Sequence, residues 1–157
     1  MHFPATAAAA AGCLLLAMAP LTARPETPKA CELLNAQTAA SLAGGPVAAP
    51  FDLQGIGCSY TSQSAGTSVG LTITDAEKTT TADFLHIEQT TAMQQGAKTE
   101  TIPAMGEHNF LVVRISLENG LVVLYHRKMV SLGVHRKMTP VLKAQMIKVV
   151  NQMLARL

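Results

Sequence analysis

One stretch constrains this chain more than any other. From Asn109 to Lys128, apolar residues alternate with others on both sides of Glu118-Asn119-Gly120-Leu121. Asn-Gly is the favoured pair for a two-residue type I′ turn, because both central residues need positive φ. The stretch therefore predicts a hairpin turning at Asn119-Gly120. Leu117 would face Val122, Ile115 would face Leu124, and Val113 would face His126. Period-two alternation puts Leu111, Val113, Ile115 and Leu117 on one core face with Val122 and Leu124. Arg114, Ser116 and Glu118 would then share the outer face with Tyr125, Val123 and Leu121.

Upstream, residues 1–23 contain no Asp, Glu, Lys or Arg, and all 12 basic and 10 acidic residues follow them. An alanine run, then Leu14-Leu15-Leu16, then Pro20 and small residues predict a secretory signal peptide over 1–23. Cleavage is expected after Ala23, with membrane contact during export only. Retention as an anchor is the alternative, which Pro20 and the alanine content disfavour. Cys13 follows Ala10-Ala11-Gly12 as in a lipobox. Its leucines lie downstream rather than upstream, so lipid attachment at Cys13 is not expected.

Residues 24–157 are long enough for one domain with a core. With no Trp and few aromatics, Val, Leu, Ile, Met and Ala must fill it. Cys31 and Cys58 remain, and an oxidising compartment makes a disulfide their simplest use. Closing that loop is worth ~3 to 4 kcal/mol in the chain-entropy model. Neither cysteine lies in a Cys-x-x-Cys motif or beside a His, which argues against redox or metal chemistry.

The other elements follow from their punctuation. Ala30 to Leu42 reads as a helix in two pieces, with Asn35 capping the second and Gly44-Gly45-Pro46 stopping it. Its apolar side would be Leu33, Leu34, Thr38 and Leu42. Val47 to Gly57 reads as loop, Cys58 to Ser62 and Ser68 to Thr74 as strands. Thr80 or Thr81 would cap a second helix to about Gln95, with Phe84, Leu85, Ile87, Thr91 and Ala92 as its stripe. Lys98 to Ile102 reads as a short strand, and Pro103 to Glu107 as a turn. Val130 to Met138 fits strand or loop. Thr139 caps, and Pro140 opens, a last helix with the stripe Leu142, Met146, Val149, Val150, Met153 and Leu157. The expected class is α+β: an antiparallel sheet covered by two or three helices, with the C-terminal helix packed on the sheet.

Cys31-Glu32-Leu33-Leu34, Gly45-Pro46-Val47, Gly57-Cys58-Ser59-Tyr60 and Ile102-Pro103-Ala104-Met105-Gly106-Glu107 resemble a group of small exported bacterial domains of unknown function. Many of these are actinobacterial lipoproteins with a Cys-x-Leu-Leu helix and a Cys-x-Tyr strand. The resemblance spans most of residues 24–157. It implies a Cys31–Cys58 disulfide and a helix-covered antiparallel sheet, and it carries over no catalytic residues. The chain departs from the group in its poor lipobox and in a duplicated basic motif.

That motif is the oddest feature: His126-Arg127-Lys128-Met129 returns as His135-Arg136-Lys137-Met138. It belongs to a charge asymmetry, with net −5 over residues 24–113 and net +7 over 114–157. His126, Arg127, Lys128, His135, Arg136 and Lys137 are the candidate contact residues for an anionic envelope component or protein. A solvated basic edge that blocks sheet-to-sheet pairing is their commoner use. His126, Met129, His135 and Met138 could instead ligate Cu(I), a soft ion suited to thioether and imidazole, although four neighbouring cations oppose it. No metal or other cofactor is otherwise expected.

Gly66-Thr67-Ser68-Val69-Gly70 matches the Gly-x-Ser-x-Gly pattern of serine hydrolases, with Asp83 and His108 or His126 as partners on paper. That chemistry needs a strand-to-helix elbow, and Ser68 opens a strand. His86 and Glu88, two apart on a helix, do not share a face. Gly55-Ile56-Gly57 lacks a phosphate-loop context. Few stacking aromatics and expected export disfavour nucleic acid. The expectation is an exported, non-catalytic binding or structural protein of the cell envelope.

Overall fold

The computed structural model describes residues 28–76, 82–114 and 117–157. The predicted signal peptide, the Thr80 or Thr81 cap and position 115 of the predicted register lie outside the described residues.

Seven strands form one antiparallel sheet. In chain order they are β1 (Phe51–Leu53), β2 (Gly57–Ser62), β3 (Thr67–Asp75), β4 (Lys98–Glu100), β5 (His108–Val113), β6 (Glu118–Tyr125) and β7 (Lys128–His135). In space they run β1-β2-β3-β7-β6-β5-β4. Two meanders thus join where β3 meets β7, so the segment that fitted strand or loop is a central strand.

Helices α1 (Ala30–Leu33), α2 (Ala36–Ala43) and α4 (Pro140–Leu154) cover one face, here the inner face. The caps work as the sequence implies. Asn35 Oδ1 accepts from Thr38 N, and Thr139 Oγ1 accepts from Leu142 N. Gly44 ends α2 at φ 82°, where a Cβ is disfavoured. Leu142, Met146, Val150 and Met153 of α4 pack with Leu71, Leu111, Leu121 and Leu132 of the sheet. The Cys31–Cys58 disulfide is formed, at 2.09 Å, and ties α1 to β2.

Helix α3 (Ala82–Gln94) lies on the other, outer face. Leu85 and Ala92 bury against Phe110, Val112 and Leu124. Phe84, Ile87 and Thr91 of the expected stripe are exposed instead. The helix touches a narrow strip of sheet, so positions 85, 89 and 92 face it and the wider stripe does not.

The hairpin is built in a different register from the one predicted. Leu111 pairs with Leu121 and Phe110 with Val122, and β6 begins at Glu118. Asn119 and Gly120 lie within the strand, paired with Val134 and Gly133. Leu121 and Val123 therefore face the inner core, while Val122 and Leu124 face α3. Alternation could not choose between the registers. Both parities of both strands are apolar, because this part of the sheet is covered on both faces.

Two smaller corrections have similar causes. The loop predicted over 47–57 contains β1, whose Phe51, Asp52 and Leu53 pair with Ser59, Cys58 and Gly57. The tight two-residue turn falls at His126-Arg127, between the paired residues Tyr125 and Lys128.

Candidate functional site

Both central residues of that turn are left-handed, His126 at φ 45° and Arg127 at φ 62°. A type I′ turn demands this, and it is ordinarily supplied by Asn-Gly. Each non-glycine residue held there costs about 1–2 kcal/mol. The surrounding chain imposes the geometry. His126 N donates to Glu107 Oε1 at 3.1 Å, and Arg127 O accepts from Ala76 N at 2.7 Å. The His126 ring packs on Tyr125 with centroids 4.1 Å apart. The result is a fixed, exposed tip that carries an imidazole and a guanidinium.

The duplicated motif does not form one patch. Its copies sit at opposite ends of β7, and Lys128 and His135 are separated by seven residues. At about 3.4 Å per residue that is about 24 Å. The six candidate residues also differ in what occupies them. Lys128 is ion-paired with Asp75. Arg136 covers the end of α2, where its guanidinium donates to Leu42 O at 3.3 Å and lies over Gly44. His126, Arg127 and Lys137 are exposed, and His135 is half-buried.

The same geometry breaks up the copper set. Met129 and His135 are six strand residues apart, about 20 Å, so His126, Met129, His135 and Met138 do not converge. Among the described residues no three His, Cys, Asp or Glu side chains are placed to hold an ion.

The hydrolase set is also dispersed. Ser68 lies near the start of β3, whereas Asp75 and Lys128, beside the His126 turn, pair at its far end. Seven residues separate Ser68 from that end, about 24 Å. Asp83 and His108 line a different cleft, of about 430 Å³, between α3 and β5, together with His86 and Glu107. On the outer face Ser68 stands between Thr61 of β2 and His135 of β7, with Glu118 of β6 beyond His135, residues not connected with it in the sequence.

Sequence reasoning missed the His126-Arg127 turn. A signal was present: Leu121-Val-Val-Leu-Tyr125 and Met129-Val-Ser-Leu132 are apolar runs separated by three polar residues. Asn119-Gly120, the stronger turn signal nearby, drew the turn away from it.

No protein-family model, curated protein or solved structure matches this chain. Among the described residues no helix is long and apolar enough to cross a membrane.

Proposed function

We propose that this protein is an exported, non-catalytic binding domain that meets an anionic partner of the cell envelope through the His126-Arg127 turn. Export is supported by the uncharged, apolar residues 1–23 and by the Cys31–Cys58 disulfide, which belongs to an oxidising compartment. The observation that carries the binding site is the turn itself. Strained backbone concentrates where a side chain has a task beyond folding. Of the five left-handed non-glycine residues described, His126 and Arg127 are the adjacent pair, and both carry exposed groups suited to an anion.

The test separates strain from charge. Replacing His126-Arg127 by Asn-Gly relieves the left-handed strain but adds glycine's chain entropy, leaving a net gain of about 1 kcal/mol. The variant should melt higher than the parent and lose affinity for polyphosphate. Arg127→Glu should weaken that binding about tenfold or more, since a charge-assisted contact is removed and a repulsion added. Lys148→Glu, an exposed change on α4, is the charge control and should weaken it far less. Polyphosphate affinity equal to the parent's in Arg127→Glu would refute the assignment.

A further inference from the structure

The outer face is covered by α3 over β5 and the neighbouring parts of β6 and β7, and among the described residues nothing covers the half built from β1, β2, β3 and the His135 end of β7. Four hydrogen-bonding side chains surround one shallow cavity of about 260 Å³ there: Ser59, Ser68, Glu118 and His135. Strand register brings them together. Glu118 lies opposite His135 across β6 and β7, and Val69 opposite Val134 makes Ser68 the neighbour of His135 on β3. Directly opposed side chains start 4.5–5.5 Å apart at Cβ, so a carboxylate, an imidazole and a hydroxyl stand in one row.

None of the four side chains hydrogen-bonds another described residue. Ser59, Ser68 and His135 are half-buried. No described side-chain N or O atom is both buried and without a partner, so the polar atoms of these three face solvent, where a ligand can reach them. The next row along the strands is Gly70, Gly133 and Gly120, mutually in register. A Cβ on any of them would meet nothing closer than 3.9 Å, and none has positive φ. The cavity floor at Gly70 and Gly133 is therefore bare main chain for a reason other than backbone conformation or packing among the described residues. Glycine inside a strand weakens it and marks close approach by another group. At the open edge this row ends on Phe51, opposite Ser59 and 65% exposed. From Phe51 to Gly120 is four strand spacings, about 19 Å.

The chemistry selects among ligands. Glu118 repels anions. Val69 and Val134 turn their side chains to the inner core, so the cavity itself carries no apolar side chain, and the exposed Phe51 and Leu53 lie at the β1 edge of the face. Hydroxyl and imidazole groups both donate and accept, and a carboxylate accepts twice, which suits adjacent hydroxyls. Phe51 offers an aromatic face for the C–H side of a ring. We infer that the open half of the outer face binds a neutral saccharide, with Phe51 under one ring and Ser59, Ser68, Glu118 and His135 bonding its hydroxyls. This site is independent of the basic turn, which lies at the other end of β7.

The experiment is an amide NMR titration of the oxidised protein with cellotriose and chitotriose, with putrescine as a cationic comparison. Saturable shifts at Gly70, Gly120 and Gly133 are expected with a saccharide. Affinity should fall about tenfold in Glu118→Gln and in Phe51→Ala, with the melting temperature unchanged. Gly133→Val should block the floor and abolish binding without lowering stability. If that variant fails to fold, Glu118→Gln, an exposed change, still decides. Silent glycine amides with both saccharides, a response to putrescine alone, or undiminished saccharide binding in Glu118→Gln would each overturn the inference.

Discussion

Asn119→Ala tests the hairpin directly. Asn119 is 3% exposed. Its Oδ1 accepts from Arg114 N at 3.1 Å, and its Nδ2 donates to Leu117 O at 3.0 Å and also to Arg136 O. One side chain thus fixes both ends of the β5–β6 connection and the exit of β7. Truncation removes three hydrogen bonds, each worth about 1 kcal/mol net, so a loss of about 3 kcal/mol is expected. In a domain of this size that lowers Tm by roughly 10 °C. Asn119→Asp should cost more, because a carboxylate would face two carbonyl oxygens. Urea unfolding followed by circular dichroism, with the disulfide oxidised and the m-value unchanged, measures the difference. At a solvated Asn-Gly turn the same truncation would cost at most about 1 kcal/mol. A loss that small would refute the buried role of Asn119 and restore the turn to Asn119-Gly120.

Two other outcomes follow from the inner face. The Cys31–Cys58 bridge spans a sequence separation of 27, so Cys31→Ala with Cys58→Ala should lower stability by about 3–4 kcal/mol in the same unfolding assay. Burial raises the Tyr60 phenol above its ordinary value of 10.0. The unfolded chain then releases that proton at a lower pH than the folded one. Stability from this source is complete below about pH 10 and is lost as pH rises through the higher folded value. Tyr60→Phe should flatten the alkaline limb of a stability–pH curve, and an identical limb in the variant would remove Tyr60 as its cause.

The sequence by itself determined the pieces whose signals are local. Asn35 and Thr139 cap helices because a short polar side chain reaches its own third N–H. Gly44 stops α2 because its φ suits glycine. The α4 stripe, the β2–β3 hairpin, the Cys31–Cys58 pairing and the α+β class were all legible. Tertiary structure decided whatever depended on which faces were covered. With α4 on one side of the sheet and α3 on the other, both parities of β5 and β6 are buried, and alternation no longer fixes register. The choice fell to hydrogen-bonded side-chain amides: buried Asn119 at the β5–β6 connection, and half-buried Asn109, whose amide holds Ile102 and Met105. The site followed the same rule. The two His-Arg-Lys-Met copies look like one patch in sequence, yet a strand of eight residues holds them at opposite ends of the sheet. Ser68, Glu118 and His135 are far apart in sequence, and only the alignment of β3, β7 and β6 makes them neighbours.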